Sequence, residues 1–216
     1  MIYTVTMNPS LDYIMQLETF EEGKLNRSIY VAGFTGDEIE KRVSSHGLIP
    51  DFIKLIHGQS RINIKMKHVE ETEINASGPT IEKEDLEKLY VKLEHLTEGD
   101  ILILSGSMAS GVDHNFYADV MKYLEGRKIR IVVDAAGSIL KTVLPYHPYL
   151  IKPNQHELSE IFGQKILENQ VEEYACKLVT MGAQNVLVSL GENGAILVNK
   201  QVYRSIAPRG EILNSV

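Results

Sequence analysis

The chain has 216 residues, enough for one large domain or one domain with a small appendage. A net charge of −7 argues against nucleic acid or an anionic membrane as the main partner, while a few well-placed Lys and Arg can still hold a small anionic substrate. The single Cys176 excludes an internal disulfide and no apolar run approaches a membrane span, so a soluble cytoplasmic protein is expected.

The first element is Met1 to Thr6, short and β-branched, which reads as a strand stopped by Asn8-Pro9. Tyr13 to Leu17 alternates and predicts a second, more exposed strand. After the turn around Gly33 to Asp37, residues 37–43 read as a helix. Arg61 to Lys67 alternates strictly, with Ile62, Ile64 and Met66 on one face, the mark of a half-exposed antiparallel strand. Glu71 to Asn75 is its expected partner. From residue 80 strands and helices alternate. Leu86, Leu89, Leu93 and Leu96 fall on one helical stripe, and Ile101 to Leu104 reads as a buried strand. A helix near 115–124, a strand at 129–133 and another at Tyr149 to Ile151 follow. Helices around 157–162 and 171–181 come next, then strands at 185–190 and 195–198. This order predicts an α/β fold, a doubly wound, mostly parallel sheet flanked by helices, with the polar strands forming a small separate sheet.

Candidate chemistry collects at strand ends, where open α/β sheets hold their ligands. Lys152, Asn154 and Glu157 surround Pro153 at the end of the 149–151 strand. A lysine and a carboxylate there suit a polyphosphate carried with a divalent metal. Asp12 follows the first strand and suits sugar hydroxyls, or else caps a turn. Asp134 closes another strand and suits a helix N-cap equally well. Ser189 to Gly194 reads as a nucleotide loop or as a plain hairpin turn. Arg61, Lys65 and Lys67 share one side of their strand; Lys65 and Lys67 fit a solvated edge. The seven His residues have no metal-ligand spacing.

Six stretches in order resemble the ribokinase-like carbohydrate kinases, in the branch of 1-phosphofructokinase and tagatose-6-phosphate kinase. They are Thr4 to Asp12, Gly33 to Asp37, Thr72 to Pro79, Leu104 to Ser107, Ile151 to Asn154 with Glu157, and Val188 to Gly191 with Gly194. The resemblance implies a single α/β domain over 1–216 with a β-sheet lid from about 12–30 and 60–76. It implies phosphoryl transfer from ATP with Mg2+ to a sugar phosphate, preferably fructose 1-phosphate, with tagatose 6-phosphate as the alternative. In that pattern Asp12, Arg61, Asn63 and Gly36 bind substrate. Lys152, Ser189, Gly191 and Gly194 bind nucleotide, and Asn154 and Glu157 organise the metal. A homodimer through the lid is expected because an open strand edge invites a partner.

Two family segments are missing from the pattern. A Gly-Gly-Lys-Gly-x-Asn stretch should follow the lid strand matching Asn26 to Tyr30, and Gly-Ala-Gly-Asp, with the catalytic base, should follow Val216. The expectation is a longer protein carrying both. A chain truly lacking them would be an inactive sugar- or nucleotide-binding remnant.

Overall fold

A computed structural model describes residues 1–16, 35–47, 49–67, 71–75 and 78–208; for residues 12–16, 65–67 and 71–75 the description is of the backbone. Chain contacts divide it into two compact units.

The first unit comprises Met1–Thr6, His95–Ser107 and His114–Val216. Its strands are β1 (Ile2–Thr6), β5 (Ile101–Ser105), β6 (Arg130–Asp134), β7 (Leu150–Ile151), β8 (Val186–Ser189), β9 (Ala195–Val198) and β10 (Val202–Ser205). They form a seven-stranded sheet in the order β1-β5-β6-β7-β8-β9-β10. The first five strands run parallel; β9 is antiparallel to β8, and β10 is antiparallel to β9. Between the parallel strands lie α3 (Phe116–Tyr123), α4 (Gly137–Val143), α5 (Gln155–Phe162) and α6 (Val171–Thr180). Parallel neighbours need such crossovers, because a two-residue turn cannot return a chain to the same direction. The core is aliphatic: Leu102, Leu104, Val133, Ile151, Val186 and Val188 of the strands are wholly buried, as are Val120, Leu140, Leu158 and Leu178 of the helices. Each such side chain contributes about 1.5–3 kcal/mol over leaving it in water.

The second unit comprises Met7–Glu94 and Met108–Asp113, so most of it is inserted in the chain between β1 and β5. It holds β2 (Ser10–Gln16), α1 (Thr35–Ser45), β3 (Arg61–Lys67), β4 (Glu71–Asn75) and α2 (Lys83–Leu93). The strands form a separate sheet in the order β2-β3-β4. β3 and β4 pair antiparallel, from Asn63 opposite Asn75 to Lys67 opposite Glu71, as the strict alternation in β3 suggests. β2 lies on the other side of β3 and parallel to it.

The expected elements are present with ends shifted by up to three residues, and among the described residues one α-helix and one strand were missed: α4 and β10. The expected turn at Asp12 is absent. Asp12 sits inside β2, which already begins at Ser10. The lid stretch 17–30, the Gly33-Phe34 pair, Ala76-Ser77 and Asn214 to Val216 lie outside the described residues, as do the side chains of Lys65 and Lys67.

Candidate active site

In the first unit the candidate residues gather at the carboxyl end of the parallel strands. Pro153 closes β7, and Asn154 then takes an extended conformation (φ −87°, ψ 176°) as the N-cap of α5. Its side chain accepts the Glu157 backbone N–H at 2.8 Å, while Glu157 Oε2 accepts the Asn154 N–H at 2.9 Å. This reciprocal capping box satisfies two donors that a helix start leaves open, and explains why the helix begins here. Gly163, in the left-handed conformation at φ +65°, ends it. Asn154 and Glu157 are thus structural residues first. They can serve a metal as well, since the cap engages one Glu157 oxygen, Oε2.

Asn154 forms an isolated parallel bridge with Ser189, and the Ser189 N–H donates to Pro153 O at 3.1 Å. The two strand ends are thereby locked side by side. Beyond Ser189 the chain makes one 3-10 turn, Gly191–Asn193, and returns as β9, so this loop joins two antiparallel strands. Gly191 sits at φ +57° with open space around it; Gly194, at φ +90°, has its hydrogen against Ser205 O, where a Cβ would collide. Gly194 is therefore required by packing against β10, whatever else it does.

Lys152 Nζ lies 3.1 Å from Asp134 Oδ1, both side chains about two-fifths exposed. The N-cap reading of Asp134 is thus wrong: α4 starts after Ala136 and has no side-chain cap. Next along the edge, Thr6 Oγ1 and Ser105 Oγ are 2.9 Å apart, and buried Tyr117 donates to Ser105 O at 2.7 Å. Burial, and then the Asp134 carboxylate, push the Tyr117 hydroxyl far above its usual range, so it stays a neutral donor.

In the second unit the register of β2 and β3 sets Ser10 opposite Arg61 and Asp12 opposite Asn63. Arg61 Nε donates to Asn8 O at 3.0 Å, and buried Asn63 donates to Ser10 Oγ at 3.1 Å. Arg61 is half-buried rather than a solvated edge residue. It lines a pocket of about 270 Å³ together with Thr35, Gln59, Ser60, Ile62 and Gly78. Thr35, buried at the start of α1, donates to Ser60 O at 2.8 Å and so fixes one wall. Gly36 follows it, exposed, where a Cβ would make only ordinary contact with Ser60 Oγ. Gly78, at φ +78°, lies so close to the Asn8 side chain that any larger residue would collide.

The structure thus gathers Lys152, Asn154, Glu157 and Ser189 on one edge, with the Gly191–Gly194 turn leading from it. It gathers Asp12, Asn63 and Arg61 on the small sheet, with Gly36 beside Ser60. Asp134, Thr35, Gln59 and Ser60 were not singled out for these places by sequence. The signal for Asp134 was its strand-end position one strand from Lys152. The donor set on the first edge fits Mg2+, which takes one or two hard oxygen ligands and keeps several waters. Among the described residues no cluster of three or more His, Cys, Asp or Glu offers an all-protein cage.

The comparisons bear on both groups. The profile described as pfkB family carbohydrate kinase matches residues 31–216. A 1-phosphofructokinase of Bacillus subtilis is 39% identical over 248 residues, covering 100% of this chain and 81% of that protein. A tagatose-6-phosphate kinase of Staphylococcus epidermidis is 29% identical, covering 100% and 81%. The crystal structure of a putative phosphofructokinase from Staphylococcus aureus superposes with a TM-score of 0.77 at 34% identity, over 99% of this chain and 79% of that one. The first alignment spans 248 positions against 216 residues here, so 32 of its positions (248 less 216) have no residue in this chain.

Proposed function

Since the chain belongs to the pfkB family of carbohydrate kinases, we propose that it transfers the ATP γ-phosphoryl group to fructose 1-phosphate, giving fructose 1,6-bisphosphate. The observation that carries this reading is the 39% identity, over the whole chain, to a 1-phosphofructokinase. The two residue groups supply what phosphoryl transfer needs, namely positioning and charge neutralisation.

In this reading Arg61 binds the phosphate already on the sugar, from the wall of its pocket. A guanidinium suits that task because its planar fork matches phosphate oxygens. Asp12 and Asn63, opposite each other on β2 and β3, hold sugar hydroxyls, and Gly36 keeps the start of α1 clear of bulk. Lys152 neutralises charge on the nucleotide phosphates, and Ser189, Gly191 and Gly194 line the nucleotide. Asn154 and Glu157 would hold Mg2+. The metal, when bound, offsets the charge that builds on the phosphate oxygens. ATP use fits a cytoplasmic setting, and a homodimer through the small sheet is part of the reading.

The second reading, tagatose 6-phosphate as acceptor, is favoured by the 29% identical relative of that name. Initial rates with fructose 1-phosphate, tagatose 6-phosphate and fructose 6-phosphate separate the two. We expect fructose 1-phosphate to give the highest kcat/KM; equal values for all three would defeat the preference.

A further inference from the structure

Asp134 ends β6 with its backbone fixed: its carbonyl accepts the Gly106 N–H at 2.9 Å, and it lies opposite Ser105 on β5. Lys152 leaves β7 with its N–H on Val133 O at 3.2 Å, and Pro153 stiffens the chain beyond it. Their side chains meet at 3.1 Å across the ends of neighbouring strands. An ion pair this exposed contributes little to stability. A lone carboxylate on an edge that receives polyphosphate would repel it. The cation that the structure sets against that repulsion is the Lys152 ammonium.

We infer that Asp134 is a positioning residue: it holds the Lys152 ammonium, otherwise loose on a four-carbon stem, at the edge where nucleotide phosphates bind. The inference rests on the assignment of Lys152 to those phosphates in the proposed function. A lysine kept in one arrangement loses less freedom when the phosphate arrives. The sign of the effect makes the idea testable. Removing a negative charge near an anion site ordinarily strengthens anion binding. Positioning predicts the reverse.

The experiment is a calorimetric titration of Mg·ATP into the protein and its Asp134→Asn, Asp134→Glu, Lys152→Met and Asp134→Asn/Lys152→Met variants, each checked for native melting. Asp134→Asn should weaken binding about tenfold, Asp134→Glu should restore most of the loss, and the double variant should bind no worse than Lys152→Met alone. Asp134→Asn binding as tightly as the parent, or more tightly, overturns the inference. So does a double variant whose losses multiply, since Asp134 would then act apart from Lys152. A folded parent protein that fails to bind Mg·ATP is a different result: it removes the nucleotide reading itself. Should Asp134→Asn melt early, the Glu variant carries the test, with full binding expected and a tenfold loss counting against.

Discussion

Glu157 has one role in the fold and a second in the proposed function, and a single substitution can separate them. Its carboxylate accepts the Asn154 N–H in the capping box, and its charge serves the metal in the proposed site. Glu157→Gln keeps an oxygen for the cap and removes the charge. Thermal melting should therefore stay close to the parent, while the Mg2+ concentration for half-maximal ATP binding rises several-fold. Asn154→Ala should instead lose stability, by about 1 kcal/mol, because a cap acceptor is gone. If Glu157→Gln melts as early as Asn154→Ala while its Mg2+ response is unchanged, the residue is only a cap. The turn after Ser189 offers a parallel contrast. Gly191→Ala places a side chain in open space and meets only the left-handed backbone penalty, about 1–2 kcal/mol. Gly194→Ala adds a collision with Ser205 O, so urea denaturation should show a clearly larger loss there. Equal losses would mean that β10 moves aside without cost.

At the scale of elements, the junction of β1 and β5 is tied by charge. The Met1 α-ammonium lies 2.5 Å from Asp100 Oδ1, and Thr97 donates to Oδ2 from both its N–H (2.8 Å) and its hydroxyl (2.9 Å). These bonds, the α-ammonium first, lower the Asp100 carboxyl from 3.8 to about 2. A carboxyl depressed in the folded state stabilises above its ordinary value, and the contribution is lost as pH falls towards the folded one. Stability should thus drop between about pH 4 and pH 2 in the parent, and more gently in Asp100→Asn, as urea midpoints across that window would report. Identical slopes would remove Asp100 from the account. The same scale governs what the sequence could tell. β5 and β8 were legible because their apolar runs match buried strands, and β3 because its alternation is strict. β10 was not: all four of its residues are exposed, so Val202 to Ser205 carries no alternation to read. α4 was missed because Ala135-Ala136 precedes it without a capping side chain and the helix opens on Gly137. The site was half legible. Asn154 and Glu157 stood out by spacing, but the pairing of Asp134 with Lys152 depends on which strands are neighbours, and β6 beside β7 is a tertiary fact.

On the scale of the whole molecule, the residues proposed for the two ligands divide by unit: those proposed for nucleotide lie in the first, those proposed for the sugar phosphate in the second. Each unit has its own hydrogen-bonded framework. Ser189 is bridged to Asn154 in the first, and Arg61 is held to Asn8 in the second. Substitutions without shared partners change free energies additively, whereas those within one network do not. Arg61→Ala should accordingly raise KM for fructose 1-phosphate at least tenfold and leave the Kd for Mg·ATP within about twofold of the parent. Glu157→Gln should do the opposite, and the double variant should show both defects with free energies that sum. Turnover needs both ligands held at once, so kcat/KM should fall in each single variant even where one binding constant is untouched. Steady-state kinetics paired with titration of each ligand alone decides this. A loss of ATP affinity in Arg61→Ala as large as its loss for the sugar phosphate would show that the two units do not divide the ligands in this way.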